Sequence, residues 1–426
     1  MGKSYEKTIS KIWDEVLPET NKEEFMEDYV SKFIFKLKER IKKLNLEVEV
    51  HVGGSYAKGT LIKKEYYDID LFLRFSKKYP QSKYNSLTKK ILRPFKNKKI
   101  VHGSRDYFRL KVNSWLFLEI VPVKKISNYK EAENVTDLSY FHVKYLKNKI
   151  SSEKIRKEIK LAKSFCYATR TYGAESYIKG FSGYSLELMI YHYGSFLNFL
   201  KNLVKSEEKL IIDIEKHYKN KNEILVELNG AKLESPIILI DPTFKERNAS
   251  ASLSYETFKV FKTKAKDFLK NPSEKFFKIE KINYPKLKES SRQKNFEFIL
   301  IQTKTKKQRG DVAGSKLLKF KNTLHKEFER YFEIKDSGFE YLENKKALNY
   351  FIVKKKKELI FEGPFLKDKN NVELFKKEHK NTFINKEKIL AKEKINFTTK
   401  EFLKDWKKNN ARKIKQMYIS RMKILD

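Results

Sequence analysis

Two aspartates two residues apart, Asp68 and Asp70, follow a Gly53-Gly54-Ser55 loop in the stretch GGSYAKGTLIKKEYYDIDLFLRF, residues 53–75. That pairing points to metal-assisted nucleotidyl transfer, because carboxylate oxygens are the ligands that hard cations such as Mg²⁺ take. Gly53 and Gly54 let the backbone approach an anion closely, Ser55 offers a hydroxyl and the start of a short helix, and Lys58 adds a positive charge. Ile69, Leu71, Leu73 and Phe75 alternate with Asp68, Asp70, Phe72 and Arg74. This period of two predicts a half-buried strand with both carboxylates on one face, roughly 7 Å apart. A lone pair of this kind also occurs as a turn cap, and the glycines alone would serve a plain tight turn. A third acid is expected on a neighbouring strand. Glu119 is the only charge in the apolar run LFLEIVPV, residues 116–123. Either metal coordination offsets its burial, or it sits exposed on an edge strand, where Pro122 is tolerated.

The elements that must position these residues follow from hydrophobic spacing. Residues 4–17 and 22–45 carry helical periodicity, separated by Pro18, and Val48, Val50 and Val52 form a strand leading into the glycine loop. Segments 68–75, 107–112 and 116–123 continue a mixed sheet, which defines an α/β catalytic head over residues 1–145. Residues 151–206 are helical, with Ile155, Ile159, Ala162, Phe165 and Cys166 along one face and an interruption at Tyr172-Gly173. The apolar run PIILI ends at Asp241-Pro242, a loop-like boundary before a helix over 254–270. Residues 146–277 therefore read as a helical neck. From 278 to 426, short aromatic or β-branched runs alternate with amphipathic segments, an α+β body and tail. The expected fold is multidomain, α/β plus α+β.

Composition bounds the partners. The 426 residues exceed one usual core. Lys and Arg total 94 against 55 Asp and Glu, a formal charge of +39, which calls for a polyanionic partner. Lys354 to Lys357 beside Tyr350 and Phe351, and the C-terminal DWKKNNARKIKQMYISRMK, mix basic and aromatic groups as RNA-contacting surfaces do. The single cysteine, Cys166, excludes an intrachain disulfide and a multi-cysteine zinc site. The N-terminus lacks an uninterrupted apolar core of signal-peptide type, and nowhere do eighteen apolar residues run together, so a cytoplasmic protein without membrane partners is expected.

The loop GGSYAKGT, the DID triplet and the later acid resemble the head of the nucleotidyltransferase superfamily that includes DNA polymerase beta. Four ordered blocks narrow the resemblance: TDLSYFHVKYL (136–146), EIKLAKSF (158–165), TYGAESYIKGFSGYSLELMIYHYGSF (171–196) and DPTFKERNASASLS (241–254). They are similar to the class I archaeal CCA-adding tRNA nucleotidyltransferases over most of residues 50–277. EGPFLKDKNNVELFKKEH resembles that family's Gly-Pro segment before a helix.

The resemblance implies that Asp68, Asp70 and Glu119 bind two Mg²⁺ ions, with Glu119 standing where the family usually has aspartate. It implies that Gly54, Ser55 and Lys58 hold the triphosphate, and that His142, Lys163 and Tyr172 lie around triphosphate and sugar. Arg247 would read the base edge. The implied reaction is template-independent addition of CCA to the 3′ end of tRNA from CTP and ATP, with release of pyrophosphate; a homodimer is among the assemblies open to it. A poly(A) polymerase, a partial CCA adder or a catalytically silent RNA-binding protein are the alternatives.

Overall fold

The computed structural model describes residues 2–425 apart from 104, 207–208, 308–309 and 343–344. Two compact units emerge, residues 1–280 and 281–426.

The first unit is built around a five-stranded sheet. Its strands are β1 (Val48–Val52), β2 (Tyr67–Phe75), β3 (Lys98–Val101), β4 (Tyr107–Lys111) and β5 (Leu116–Lys124), in the order β1-β2-β5-β4-β3. Only the β2–β5 pair is parallel. Ile69, Leu71, Leu73 and Phe75 are fully buried, in one cluster with Met26, Val30, Phe33, Leu37 and Ile41 of the helix Thr20–Lys43. That apolar stripe recurs at spacings of three and four residues, which is what places it along one side of a helix. The opposite face of β2 carries the acids at one end and the buried Phe72 and Arg74 at the other. Arg74 donates to Glu49 at 2.8 Å and lies over the Tyr140 ring.

The helical part gathers Glu153–Ala168, Gly183–Tyr193, Phe196–Lys205 and Tyr255–Lys270 around a phenylalanine-rich core. Phe165 sits at its centre, with Phe196, Phe261, Phe268, Phe276 and Phe277 at ring separations of 5.5–6.2 Å. Cys166 packs there as a small buried hydrophobe, its thiol pushed up to about 12 by burial. The chain begins with the helix Gly2–Lys11, a break at Ile12, and the short helix Trp13–Val16, so the helix expected over 4–17 is two. Both Ile12 and Val16 are buried in the phenylalanine-rich core.

The segment expected to be a loop-like boundary at Asp241-Pro242 is instead a hairpin. β6 (Leu210–Ile212), β7 (Ile237–Asp241) and β8 (Phe244–Asn248) form a small sheet in that order. The run Ile237–Asp241 is wholly buried, and Asp241 and Phe244 close the turn between β7 and β8.

The second unit carries β9 (Glu297–Thr305), β10 (Phe332–Leu342), β11 (Lys346–Lys355), β12 (Glu358–Phe365), β13 (Thr382–Asn385), β14 (Lys388–Lys394) and β15 (Ile419–Leu425). They form one sheet of order β10-β11-β9-β15, packed on the helix Asp311–Tyr331, and another of order β12-β14-β13. Gly363-Pro364 lies within β12, ahead of the helix Lys369–Glu378.

Candidate active site

Strand register brings the acids together. In the parallel β2–β5 pair Asp70 lies opposite Glu119, and Asp68 opposite Phe117. β1 ends at Val52 opposite Leu71, so Asp68 and Asp70 extend beyond it. The glycine loop turns over that end: the Gly53 N–H donates to the Asp70 carbonyl at 2.8 Å. Gly54 has φ +63°, and a Cβ built on it would fall 2.0 Å from Asp70 Oδ2. Both the left-handed backbone and the contact therefore require glycine.

Glu119 is not on an edge strand. β5 runs between β2 and β4, and the Glu119 side chain is 19% exposed. Pro122 is tolerated there because it lies past Phe108↔Ile120, the β4–β5 pair on its side, and its carbonyl accepts from Arg105 at 3.2 Å.

Arg109, opposite Glu119 on β4, donates to Asp68 at 2.6 Å, and its Nε stands 3.5 Å from Glu119. Arg109, with the Lys58 and Lys64 charges that also act on Asp70, does not offset the burial and mutual repulsion of the acids. Burial, then the Asp68 charge, raises the Asp70 carboxyl to about 6; burial, then Asp68 and Asp70, raises Glu119 to about 8. Among the described residues, no three His, Cys, Asp or Glu side chains converge closely enough to hold an ion as they stand. The carboxylates nevertheless fit a hard divalent cation, since the raised Asp70 and Glu119 carboxyls are only partly offset by nearby cations and their donors are all oxygen.

Next to the acids lies a cationic cluster. Lys163, on the helix Glu153–Ala168 and 1% exposed, donates to Ser55 Oγ at 3.0 Å, Thr60 Oγ1 at 2.9 Å and Glu187 Oε1 at 2.7 Å. Lys58 donates to Glu187 Oε2 at 2.6 Å, and the Thr60 hydroxyl to Oε1 at 2.7 Å. Burial lowers the Lys163 amine to about 8, against the pull of Glu187. Burial opposes ionisation of Glu187 too, but Lys163 and then Lys58 outweigh it and hold the carboxyl at about 2. Removing one partner of such a buried pair costs roughly 3–5 kcal/mol. Tyr172 abuts this cluster: a Cβ on Gly183 would lie 2.9 Å from its hydroxyl and 3.9 Å from Lys163 Cε. Lys64 lies 5.1 Å over the Tyr172 ring.

His142 and Arg247 meet at a second cluster. Asp241, fully buried, accepts from Arg247 at 2.6 Å and from the Tyr184 hydroxyl at 2.9 Å, and pairs with His142 Nε2 at 3.0 Å. The His142 ring stacks on Tyr184 with centroids 4.1 Å apart. Burial lowers the His142 imidazole below its ordinary value, and His142 and Arg247 hold Asp241 well below the carboxylate range despite its burial.

Comparisons with known proteins align with this layout. Residues 34–160 match the nucleotidyltransferase domain model and residues 157–278 the model of the tRNA nucleotidyltransferase second domain. The CCA-adding enzyme of Nanoarchaeum equitans is 43% identical over 237 residues, 55% of this chain and 58% of that protein. Residues 34–278 are thus similar to nucleotidyltransferase domains and to archaeal CCA-adding enzymes.

Other archaeal CCA-adding enzymes are less similar. The CCA-adding enzyme of Methanocaldococcus jannaschii is 31% identical over 283 residues, 64% of this chain and 61% of its own. That of Thermococcus gammatolerans is 29% identical over 278 residues, 64% and 60%. The chain spans about three-fifths of the length of these curated relatives. A cytoplasmic RNA terminal U-transferase shares the fold at TM-score 0.51 and 12% identity, covering 66% of this chain and all of that one. The Cid1 poly(U) polymerase, solved with Mg and 3′-dATP bound, does so at TM-score 0.50 and 13% identity, covering 64% and 98%.

Glu187, Asp241, Arg109 and Lys64 join these three groups without having been expected from the sequence. Glu187 carried the same signal as Glu119, a lone acid in an apolar run, here SLELMI. Asp241 ends PIILI in the same way.

Proposed function

We propose that this chain adds C, C and A to the 3′ end of tRNA from CTP and ATP, without a template and with release of pyrophosphate. The observation that carries the reading is the β2–β5 register, which sets Asp70 beside Glu119 under a glycine loop whose Ser55 is bonded to Lys163. The kinship of residues 34–278 supports tRNA as the acceptor.

In this reading the tRNA 3′ oxygen attacks the α-phosphorus in line; the new O–P bond forms as the bond to the β-phosphate oxygen breaks. Asp68, Asp70 and Glu119 would hold two Mg²⁺ ions, whose chemistry there would be to activate the 3′ hydroxyl and to stabilise the leaving oxygen. Lys58, Lys163 and Ser55, with the Gly54 backbone, bind and neutralise the triphosphate. Tyr172 and His142 line the sugar side. Arg247, held by Asp241, turns its remaining guanidinium donors to the base, and a planar fork suits acceptors on cytosine or adenine. Residues 1–145 act as the catalytic head, 146–277 as the neck that reads the nucleotide, and 278–426 as a tRNA-binding body and tail, working in the cytoplasm.

The test is labelled tRNA lacking its terminal CCA, incubated with each nucleotide. CTP alone gives two additions, and a third appears only with ATP; long A tails would replace this reading with a poly(A) polymerase, and no product with a silent binder. Asp70→Asn lowers addition by about 100- to 1000-fold, the scale on which charge-stabilising groups act, with tRNA affinity nearly unchanged. Full activity in that variant would sink the metal assignment.

A further inference from the structure

The Lys58–Glu187–Lys163 arrangement contains one carboxylate for two ammonium groups. Glu187 is fully buried on the helix Gly183–Tyr193, and both its oxygens are occupied: Oε1 by Lys163 and Thr60, Oε2 by Lys58. Three groups from two separate segments thus converge on a side chain that touches no solvent. A carboxylate that only stabilised the fold would need a single counter-charge. Here the cluster retains one surplus positive charge beside Ser55, at the end of the glycine loop, and that is the electrostatic form of an anion receptor. Two ammonium groups this close repel unless an anion stands between them.

We infer that Glu187 is a positioning residue for the triphosphate, a buried carboxylate that holds Lys58 and Lys163 side by side so that a nucleotide's outer phosphates meet two preset cations. The inference rests on the proposed nucleotide-transfer function and names a residue that acts through the two lysines rather than on the substrate. Tyr184, three residues earlier on the same helix, bonds Asp241 of the base cluster. One rigid element therefore sets both the phosphate and the base ends of the pocket.

The experiment compares CTP with CMP binding by calorimetry in the full chain, for wild type and Glu187→Gln, a near-isosteric change that removes the charge. The wild type binds CTP more tightly than CMP. In Glu187→Gln, CTP affinity falls at least tenfold while CMP affinity changes less than threefold, because CMP lacks the outer phosphates. Equal losses for both nucleotides, or none, would overturn the inference in favour of a structural role. Should Glu187→Gln fail to fold, the double variant Glu187→Gln/Lys58→Met, which removes one buried charge of each sign, is compared with Lys58→Met alone. A lower CTP-to-CMP ratio in the double variant supports positioning of Lys163, and equal ratios contradict it. If the wild type binds neither nucleotide, the proposed function itself fails, an outcome distinct from the others.

Discussion

At the scale of single residues, the two clusters solve one problem in opposite ways. The three acids are left short of positive charge, whereas Asp241 is saturated, with His142, Arg247, Tyr184 and the Thr243 N–H and hydroxyl all directed at it. Saturation has a cost in acid. His142 has its imidazole lowered by burial, so between its folded and unfolded pKa values the unfolded chain binds a proton that the folded chain does not. Stability therefore rises with pH through this window and is lost as pH falls below about 6.5, the ordinary histidine value. Asp241, also depressed, adds a loss of the same sign at lower pH, below the ordinary aspartate value of about 3.9. Asp70 and Glu119, raised by burial, contribute with the opposite sign over the same range, so the share of His142 is read by difference: from pH 7 to pH 5 the melting temperature of His142→Gln should fall less, or rise more, than that of the wild type. A variant profile parallel to the wild type would show that His142 is not the group responsible. The lone acids in apolar runs, Glu119 and Glu187, were equally visible in the sequence, but only contact partners distinguish an acid set beside two aspartates from one clamped by two lysines.

At the scale of elements, β2 was legible because its alternation is strict: each odd position from Ile69 to Phe75 is buried in one cluster, and both acids lie on the other face. The helix Thr20–Lys43 was equally clear from its apolar stripe. The hairpin of β7 and β8 was not, since Asp-Pro reads as a breaker by local chemistry and only the pairing of Ile240 with Asn248 makes it a turn. The glycine loop gives a direct test of how tightly element geometry controls the site. Gly54→Ala places a methyl where Asp70 Oδ2 lies and forces an L-residue to φ +63°. The backbone term is worth roughly 1–2 kcal/mol, so the melting temperature should drop by only a few degrees. Displacing Asp70 should lower the turnover number at least 100-fold, more than the stability change explains. Near-normal turnover in steady-state assays would mean that the loop and Asp70 move together without consequence.

At the scale of the whole molecule, the excess of 94 basic over 55 acidic residues favours a polyanionic partner more than any one lysine does. Contacts to six to ten phosphates weaken binding by about 10³–10⁵ between 50 and 200 mM salt. Anisotropy titrations of labelled tRNA should show a loss of at least that lower size, and a change under tenfold would argue that binding does not draw on this charge. Among the described residues, no helix is long and apolar enough to cross a membrane. By itself, the sequence determined what local order can encode: a strand with two acids on one face, a glycine loop ahead of it, helices with apolar stripes and a strongly basic chain. These are patterns of neighbours at two, three and four residues, and hydrophobic burial reads them directly. Only the tertiary structure decided which distant groups meet. Glu119 joins Asp70 through a parallel register between strands 49 residues apart, and Glu187 reaches Lys58 across 129 residues. Such meetings depend on how the sheet and the phenylalanine-rich helical core pack, and that geometry has no local signature.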